Sequence, residues 1–388
     1  NAYLLINGVL YSMLGDIRRF NVGQFRYSVT GAEADDLDAV LSEVESKFSS
    51  GNTEAVIGIL YWESGEREKA VACLEKALTL DPKNAYALNY LGMQFYEKDN
   101  QKYLEYSQKA LRQKKDYSEA YHNAAAALMG LGKTEEAYRT LLTSLKESKL
   151  PHPNTYHNLI GVAGKGGVAI KSRRGAFTIE EGNELSDQTL DELYDATKKR
   201  MELFCGIMDC FLQRAMYGEA QYFLEKAKAE KIKTPITFYY ANIVYMTNDD
   251  ADYDGYAQRA IRDENLDYQQ LYTLGTNYFG LNDMEETIAA LKKSLECVPS
   301  YDAIYQMQIN SDLGSAYVSS KEYDQGIMYI AKALEIAPND GISHLNLGRA
   351  YVGKGDVDKA LSSFQDALKH SPSEEFTTYV NKQLESLE

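Results

Sequence analysis

The spacing of apolar and small residues along the chain predicts pairs of short amphipathic helices. Between residues 342 and 372, large apolar side chains recur at helical intervals and alternate with small ones, at Leu347, Gly348, Tyr351, Ala360, Phe364 and Ala367. The small residues would let two antiparallel helices approach closely, and the large ones would fill the seam between them. Gly355 and Pro372 are typical of helix ends, so we expect the first helix to end near Gly355 and the second near Pro372.

The same spacing recurs along the chain. A glycine, a tyrosine three residues later and a proline twenty-four residues later occur at Gly58/Tyr61/Pro82, Gly275/Tyr278/Pro299, Gly314/Tyr317/Pro338 and Gly348/Tyr351/Pro372. A single helix pair cannot cover its own apolar face, so such units must stack on one another. The pattern therefore predicts an all-α solenoid of antiparallel helix pairs.

The interval of 34 residues from Gly58 to Gly92, and again from Gly314 to Gly348, resembles the tetratricopeptide repeat (TPR) family. The resemblance rests on the residues given above for the last repeat. Residues of the same types recur in other repeats at Ala70, Ala77, Leu91, Gly92, Leu313 and Gly314. It implies a right-handed superhelical solenoid. We expect six segments: an N-terminal helical region with degenerate repeats as one alternative (1–50), TPR-like repeats (51–163), an insertion (164–186), degenerate repeats (187–267), TPR-like repeats (268–374) and a C-terminal cap helix (375–388).

The insertion at 164–186 replaces the second helix of a repeat. Its apolar residues alternate on either side of a short polar turn, which predicts a small β-hairpin, with a loop as the alternative. The segment is locally basic, with cations at Lys165, Lys171, Arg173 and Arg174. These could dock an acidic partner segment or contact the chain's own carboxylates. After the insertion, neither Pro nor Gly occurs from Asp187 until Gly206, which favours one long helix there.

Charge and composition limit the classes of function. The formal net charge of −16 and the pI near 4.9 argue against binding to nucleic acid, and neutral or basic partners fit better. Four cysteines without CxxC spacing indicate buried thiols rather than a disulfide framework or a zinc site. No apolar run is long enough to span a membrane. We expect a cytoplasmic protein, or an extracytoplasmic one if a leader or anchor was removed upstream.

The sequence contains no arrangement of residues that predicts catalysis or a cofactor. Asp250, Asp252 and Asp254 match the opening of a calcium loop, but Ile261 occupies the twelfth position, where a glutamate would close the loop. Acidic residues at a helix start explain the same carboxylates. The five histidines form no metal-binding pair, and no serine or cysteine has a partnered base. We therefore predict a protein that is not an enzyme and binds no cofactor.

In proteins of the TPR family the first helices of the repeats line a concave groove. By resemblance, the groove residues here are Trp62, Tyr86, Asn89, Met93, Tyr96, His122, Asn123, Tyr239, Tyr240, Ile243, Tyr272, Thr276, Phe279, Asn346 and Arg349. Aromatic and amide side chains suit a peptide-binding surface, although padding between helices would explain several of them. The leading hypothesis is a non-catalytic adaptor or assembly scaffold that binds a peptide or protein segment. The alternative is a sensor whose solenoid changes shape when it binds a peptide.

Overall fold

The computed structural model of the protein describes residues 3–6, 9–12, 20–21, 41, 50–149, 151–152, 154–164, 171–173, 176–178, 185–247, 253–370 and 373–387. These residues form nineteen α-helices and five short strands. They divide into two compact units, the first ending at Thr234 and the second beginning at Pro235. Each unit has the all-α helical-repeat architecture that the sequence predicts.

The described part of the first unit contains ten complete helices, most of which pack against the next helix along the chain. They are α1 (Gly51–Ser64), α2 (Arg67–Leu80), α3 (Ala85–Met93), α4 (Asn100–Gln113), α5 (Ser118–Gly130), α6 (Thr134–Glu147), α7 (Thr155–Ala163), α8 (Asp187–Thr197), α9 (Met201–Gln213) and α10 (Tyr217–Ala229). Short turns join α1 to α2 and α5 to α6, so that consecutive helices pack as antiparallel pairs.

In the second unit, the described residues form nine helices with the same arrangement of pairs. They are α11 (Ile236–Met246), α12 (Tyr253–Asp263), α13 (Tyr268–Gly280), α14 (Met284–Cys297), α15 (Ala303–Ser319), α16 (Tyr323–Ile336), α17 (Gly341–Lys354), α18 (Val357–Lys369) and α19 (Glu374–Glu385). Aspartates begin many of them. Asp267, for example, accepts the N–H of Gln270, whose side chain accepts the N–H of Asp267 in return.

The recurring glycine of each repeat lies against a large side chain sixteen residues later. The pairs are Gly58 with Leu74, Gly275 with Leu291, Gly314 with Ile330 and Gly348 with Phe364. At each of these glycines an added Cβ would lie closer than 3.0 Å to a carbon of that side chain. All four large partners are fully buried. The small residue is therefore required by the close approach of the two helices in a pair, as the spacing predicts.

The N-terminal segment corrects one prediction. Instead of helices, its described residues include three strands, β1 (Tyr3–Ile6), β2 (Val9–Ser12) and β3 (Phe20–Asn21), paired antiparallel in that order. The register pairs Ile6 with Val9. Only Asn7 and Gly8 stand between them in the sequence, and Asn-Gly is a strong two-residue hairpin signal that the helical interpretation overlooked. Leu41, also described, is helical and buried.

The insertion contains a hairpin, one of the two alternatives considered from the sequence. Strands β4 (Lys171–Arg173) and β5 (Ala176–Thr178) pair antiparallel, with Lys171 opposite Thr178. The predicted long helix after the insertion is instead two helices, α8 and α9, separated at 198–200. The hydroxyl of Thr197 donates to the carbonyl oxygens of Leu193 and Tyr194, which satisfies the end of α8 from within its own last turn.

Candidate functional site

A cleft of about 1550 Å³ opens in the first unit, along its first three helix pairs. Its walls come from α1 to α5, together with His152 and Asn154, which lie between α6 and α7. The lining combines aromatic, amide and acidic side chains. Trp62 and Tyr96, both partly exposed, provide aromatic surface that a bound molecule could contact.

Six of the seven groove residues predicted for this part of the chain line the cleft: Trp62, Asn89, Met93, Tyr96, His122 and Asn123. Tyr86 does not. It is buried, and its ring packs edge-on against that of Tyr117 with centroids 5.0 Å apart. That prediction is corrected because the first turn of α3 faces a neighbouring repeat rather than the cleft.

Buried amides connect successive repeats at the base of the cleft. The Asn123 side-chain amide donates to Oδ1 of Asn89 over 3.0 Å, and the Asn89 amide donates to the hydroxyl of Tyr117 over 3.4 Å. The two asparagines are 34 residues apart, one repeat length. Each amide therefore holds its neighbour's orientation, and mutual hydrogen bonding makes their burial tolerable.

A histidine pair forms another part of the lining. The rings of His122 and His152 stack with centroids 4.4 Å apart. Nδ1 of His122 accepts a hydrogen bond of 2.9 Å from the side-chain amide of Asn158 on α7. Burial, and then the neighbouring His152, lowers the pKa of His122 to about 3, so this imidazole is neutral. Neither His152 nor Asn158 was predicted, because only tertiary packing brings them to His122.

The cleft is acidic. Five carboxylates line it, those of Glu63, Glu68, Glu75, Glu97 and Glu119, against the two cations Arg67 and Lys98. The Arg67 guanidinium lies 3.9 Å above the ring of Trp62, and its Nη1 donates to the Trp62 carbonyl oxygen over 3.0 Å. One of the two cations is thus held against the wall of the cleft.

On α11, two predicted groove residues are interior residues. Tyr239 is 0% exposed and Ile243 is 3% exposed, so both pack between helices, and the groove prediction is corrected for them. The recurring spacing of Gly, Tyr and Pro is absent around α11, so its repeat frame was weakly defined. A shift of one residue in that frame turns a helical side chain by about 100°. Tyr240 is partly exposed and stacks on Tyr256 with centroids 5.5 Å apart.

The other predicted residues of the second unit vary in exposure. Phe279 is 37% exposed, and Thr276 and Arg349 are half-buried. Asn346 is buried, so the groove prediction is corrected for this residue as well. Tyr272 is partly exposed, and its hydroxyl donates to the carboxylate of Asp312 over 2.7 Å. Burial raises the pKa of that Asp312 carboxyl, and the Tyr272 hydrogen bond opposes the rise.

The basic residues of the insertion and the aspartates that match a calcium loop lie only partly within the described residues. Lys171 and Arg173 lie on β4, and Lys165 and Arg174 lie outside the described residues, as do Asp250 and Asp252. Asp254 is on α12, and its carboxylate accepts a hydrogen bond of 2.9 Å from the hydroxyl of Tyr278. Within the described ranges, no three His, Cys, Asp or Glu residues are grouped as metal ligands.

The cysteines differ in environment. Cys210 is buried, with its sulfur 3.3 Å from Nδ1 of His157, and burial raises the pKa of its thiol to about 12. Such a thiol is protonated and a poor nucleophile. Cys73 and Cys205 are half-buried, whereas Cys297 is exposed, which corrects the prediction that all four are buried.

Family models agree with the repeats seen in both units. One described as "Tetratricopeptide repeat" matches residues 305–373, and one described as "TPR repeat" matches residues 58–99. The chain therefore contains tetratricopeptide repeats in these two segments. TPR repeats support a role as a protein–protein interaction scaffold, and they are typically non-catalytic modules. In the described part of the chain, no helix is long and apolar enough to cross a membrane.

Several solved structures are similar to this chain at low identity. YrrB, described as a TPR protein with an unusual peptide-binding site, is 15% identical with a TM-score of 0.32, over 72% of this chain and 99% of YrrB. The match to the Cut9-Hcn1 hetero-tetramer of APC/C has 16% identity and a TM-score of 0.43, and it covers 90% of this chain and 59% of the matched chain. The match to MamA from MSR-1 has 20% identity and a TM-score of 0.37, and it covers 44% of this chain and 96% of MamA. No match was found among curated proteins.

Proposed function

We propose that this TPR protein is a non-catalytic scaffold that binds a segment of another polypeptide in the cleft of its first unit. The observation that carries the proposal is the cleft itself, about 1550 Å³ in volume and built from the helices of three successive repeats. Repeat arrays present extended surfaces of this kind to partners.

The size and lining of the cleft favour a polypeptide over a small molecule. Small-molecule pockets usually enclose roughly 300–1,000 Å³ and are largely closed, whereas this cleft is larger and open to solvent. Trp62, Met93 and Tyr96 provide broad apolar contact area, and the indole N–H of Trp62 and the hydroxyl of Tyr96 add polar groups to it. Side chains of these types commonly account for much of the binding energy at protein interfaces.

The charge of the cleft favours neutral or basic segments over acidic ones. Five lining carboxylates outnumber the two cations, and the whole chain carries a formal charge of −16. An acidic ligand, including nucleic acid, would meet like charge on approach and in the cleft. We therefore expect partners to be polypeptides that are neutral or positively charged.

The single tryptophan of the chain makes the proposal directly testable, because Trp62 lines the cleft. The whole chain would be immobilised and used to select from a random library of twelve-residue peptides. Selected peptides would then be titrated while the fluorescence of Trp62 is recorded. We expect enriched peptides to change that fluorescence saturably.

A cleft variant, Met93→Ala with Tyr96→Ala, should weaken binding of the selected peptides by about tenfold or more. The matched control is Met328→Ala with Tyr379→Ala, which removes the same two residue types at exposed positions of the second unit. Circular dichroism would check that both variants fold. If the two double variants bound equally well, or if no peptide altered Trp62 fluorescence, the cleft would not be the binding site.

A further inference from the structure

Resting on the function proposed above, we infer that the bound segment carries Lys or Arg side chains spread along its length, each facing a carboxylate from a different repeat. The inference concerns which polypeptides the cleft accepts. It goes beyond a general preference for neutral or basic ligands, because it excludes both an uncharged segment and one whose cations are all at one end.

The carboxylates of the cleft come from three successive repeats. Glu63 lies near the end of α1, and Glu68 and Glu75 lie on α2 of the same pair. Glu97 follows α3, and Glu119 is in the first turn of α5. A segment lying along the array would therefore pass negative charge in each of the three repeats it crosses. Cations distributed along the segment match that arrangement.

The protein's own cations leave much of this negative charge uncompensated. In the described part of the chain, no ion pair joins Glu68, Glu75 or Glu97 to a lysine or arginine. All three side chains are exposed, so a ligand can reach them. Arg67 is directed onto the Trp62 ring and carbonyl. The neutral His122 adds no positive charge to the lining.

Contacts with the rest of the lining distinguish a basic polypeptide from a small cation. A metal ion would need converging ligands, and no group of three forms among the described His, Cys, Asp and Glu residues. A polyamine could neutralise carboxylates, but it has no side chains for the aromatic surface of Trp62 and Tyr96. A polypeptide supplies both the cations and the apolar groups.

The test uses the whole chain and synthetic peptides of twelve residues, with Trp62 fluorescence as the readout. The first peptide contains four Lys-Ala-Ser units, the second has its four lysines together at one end, and the third and fourth replace Lys by Gln and by Glu. Spermidine is the small-cation arm. We expect the first peptide to bind roughly tenfold more tightly than the Gln and clustered peptides. Raising NaCl from about 50 mM to about 500 mM should remove most of that advantage.

Matched variants locate the effect. Changing Glu68, Glu97 and Glu119 together to Gln should abolish the advantage of the spread-lysine peptide. Changing Glu285, Glu296 and Glu335 to Gln alters the net charge equally, at exposed positions of the second unit, and should leave it unchanged.

The possible results separate this inference from the proposed function. If the Gln peptide, the clustered peptide or spermidine bound as tightly as the spread-lysine peptide, or if both triple variants behaved alike, the inference would be wrong. Peptide binding in the cleft could then still hold through the selected peptides. If neither the designed nor the selected peptides altered Trp62 fluorescence, both would be overturned.

Discussion

The close approach of paired helices makes a prediction whose sign opposes helix propensity. Gly348 lies inside α17, where replacing Gly by Ala normally stabilises a helix by about 0.5–1 kcal/mol. Here a Cβ would lie closer than 3.0 Å to three ring atoms of Phe364, which is fully buried on α18. We therefore expect Gly348→Ala to destabilise the second unit.

The magnitude follows from two opposing contributions. Overpacking a well-filled core costs typically 1–3 kcal/mol, and a clash with a fully buried ring belongs near the upper end of that range. Subtracting the gain of up to about 1 kcal/mol from helix propensity leaves a net loss of about 2 kcal/mol. Phe364→Leu would shorten the opposing side chain, so this change should cost less in the Gly348→Ala background than in the parent chain.

Urea denaturation followed by circular dichroism would give the free energies of unfolding, and hydrogen exchange of residues 341–369 would confirm where stability is lost. The control is Gly218→Ala on α10, because an added Cβ there meets no atom within 4 Å. That variant should be neutral or slightly stabilised. If Gly348→Ala were as stable as the parent, or if it showed no coupling to Phe364→Leu, the packing argument for the recurring glycine would be refuted.

Three further measurements test other parts of the structure. The Glu264 carboxylate accepts hydrogen bonds from the backbone N–H groups of Thr237 and Phe238 at the start of α11. Glu264→Ala should therefore lower the free energy of unfolding by about 2 kcal/mol, and an unchanged urea denaturation curve would contradict this. Folding lowers the pKa of His122 from 6.5 to about 3, so as the pH falls the unfolded chain takes up this proton before the folded chain does. The contribution of buried, neutral His122 to stability is therefore complete above about pH 6.5 and is lost as the pH falls toward about 3. The loss should reach about 2 kcal/mol near pH 5 and be absent in His122→Gln, and equal pH profiles for the two proteins would count against it. Iodoacetamide should modify exposed Cys297 quickly and buried Cys210, whose pKa is raised to about 12, very slowly. Mass spectrometry of the native protein would measure both rates, and similar rates would contradict the prediction.

Local sequence was informative wherever one short-range interaction decides the structure. The pairing of Gly348 with Phe364 is an example, because a small residue opposite a large one is required by any close helix pair. It was insufficient where two local signals compete. At the N-terminus, Gly8 and Tyr11 match a repeat helix, but Asn7-Gly8 also matches a hairpin, and the structure has paired strands on either side.

The cleft was partly predictable. Asn89, Met93 and Asn123 were placed by repeat position alone, because the repeats around them keep a clear frame. Tyr239 was misplaced where that frame is lost, and it is buried despite its polar hydroxyl. The stacking of His152 on His122 had no sequence signal, because the two residues come from different elements thirty positions apart.

The sequence by itself determined the helix pairs, their repeat length and the acidic character of the chain, because periodicity and charge are properties of residues near one another or of their sum. Only the tertiary structure decided which helix faces remain open to solvent, which carboxylates share one cleft, and which polar groups are buried with partners. Those features depend on contacts between residues far apart in the chain, and the free energy of each contact depends on the neighbours that exclude water around it.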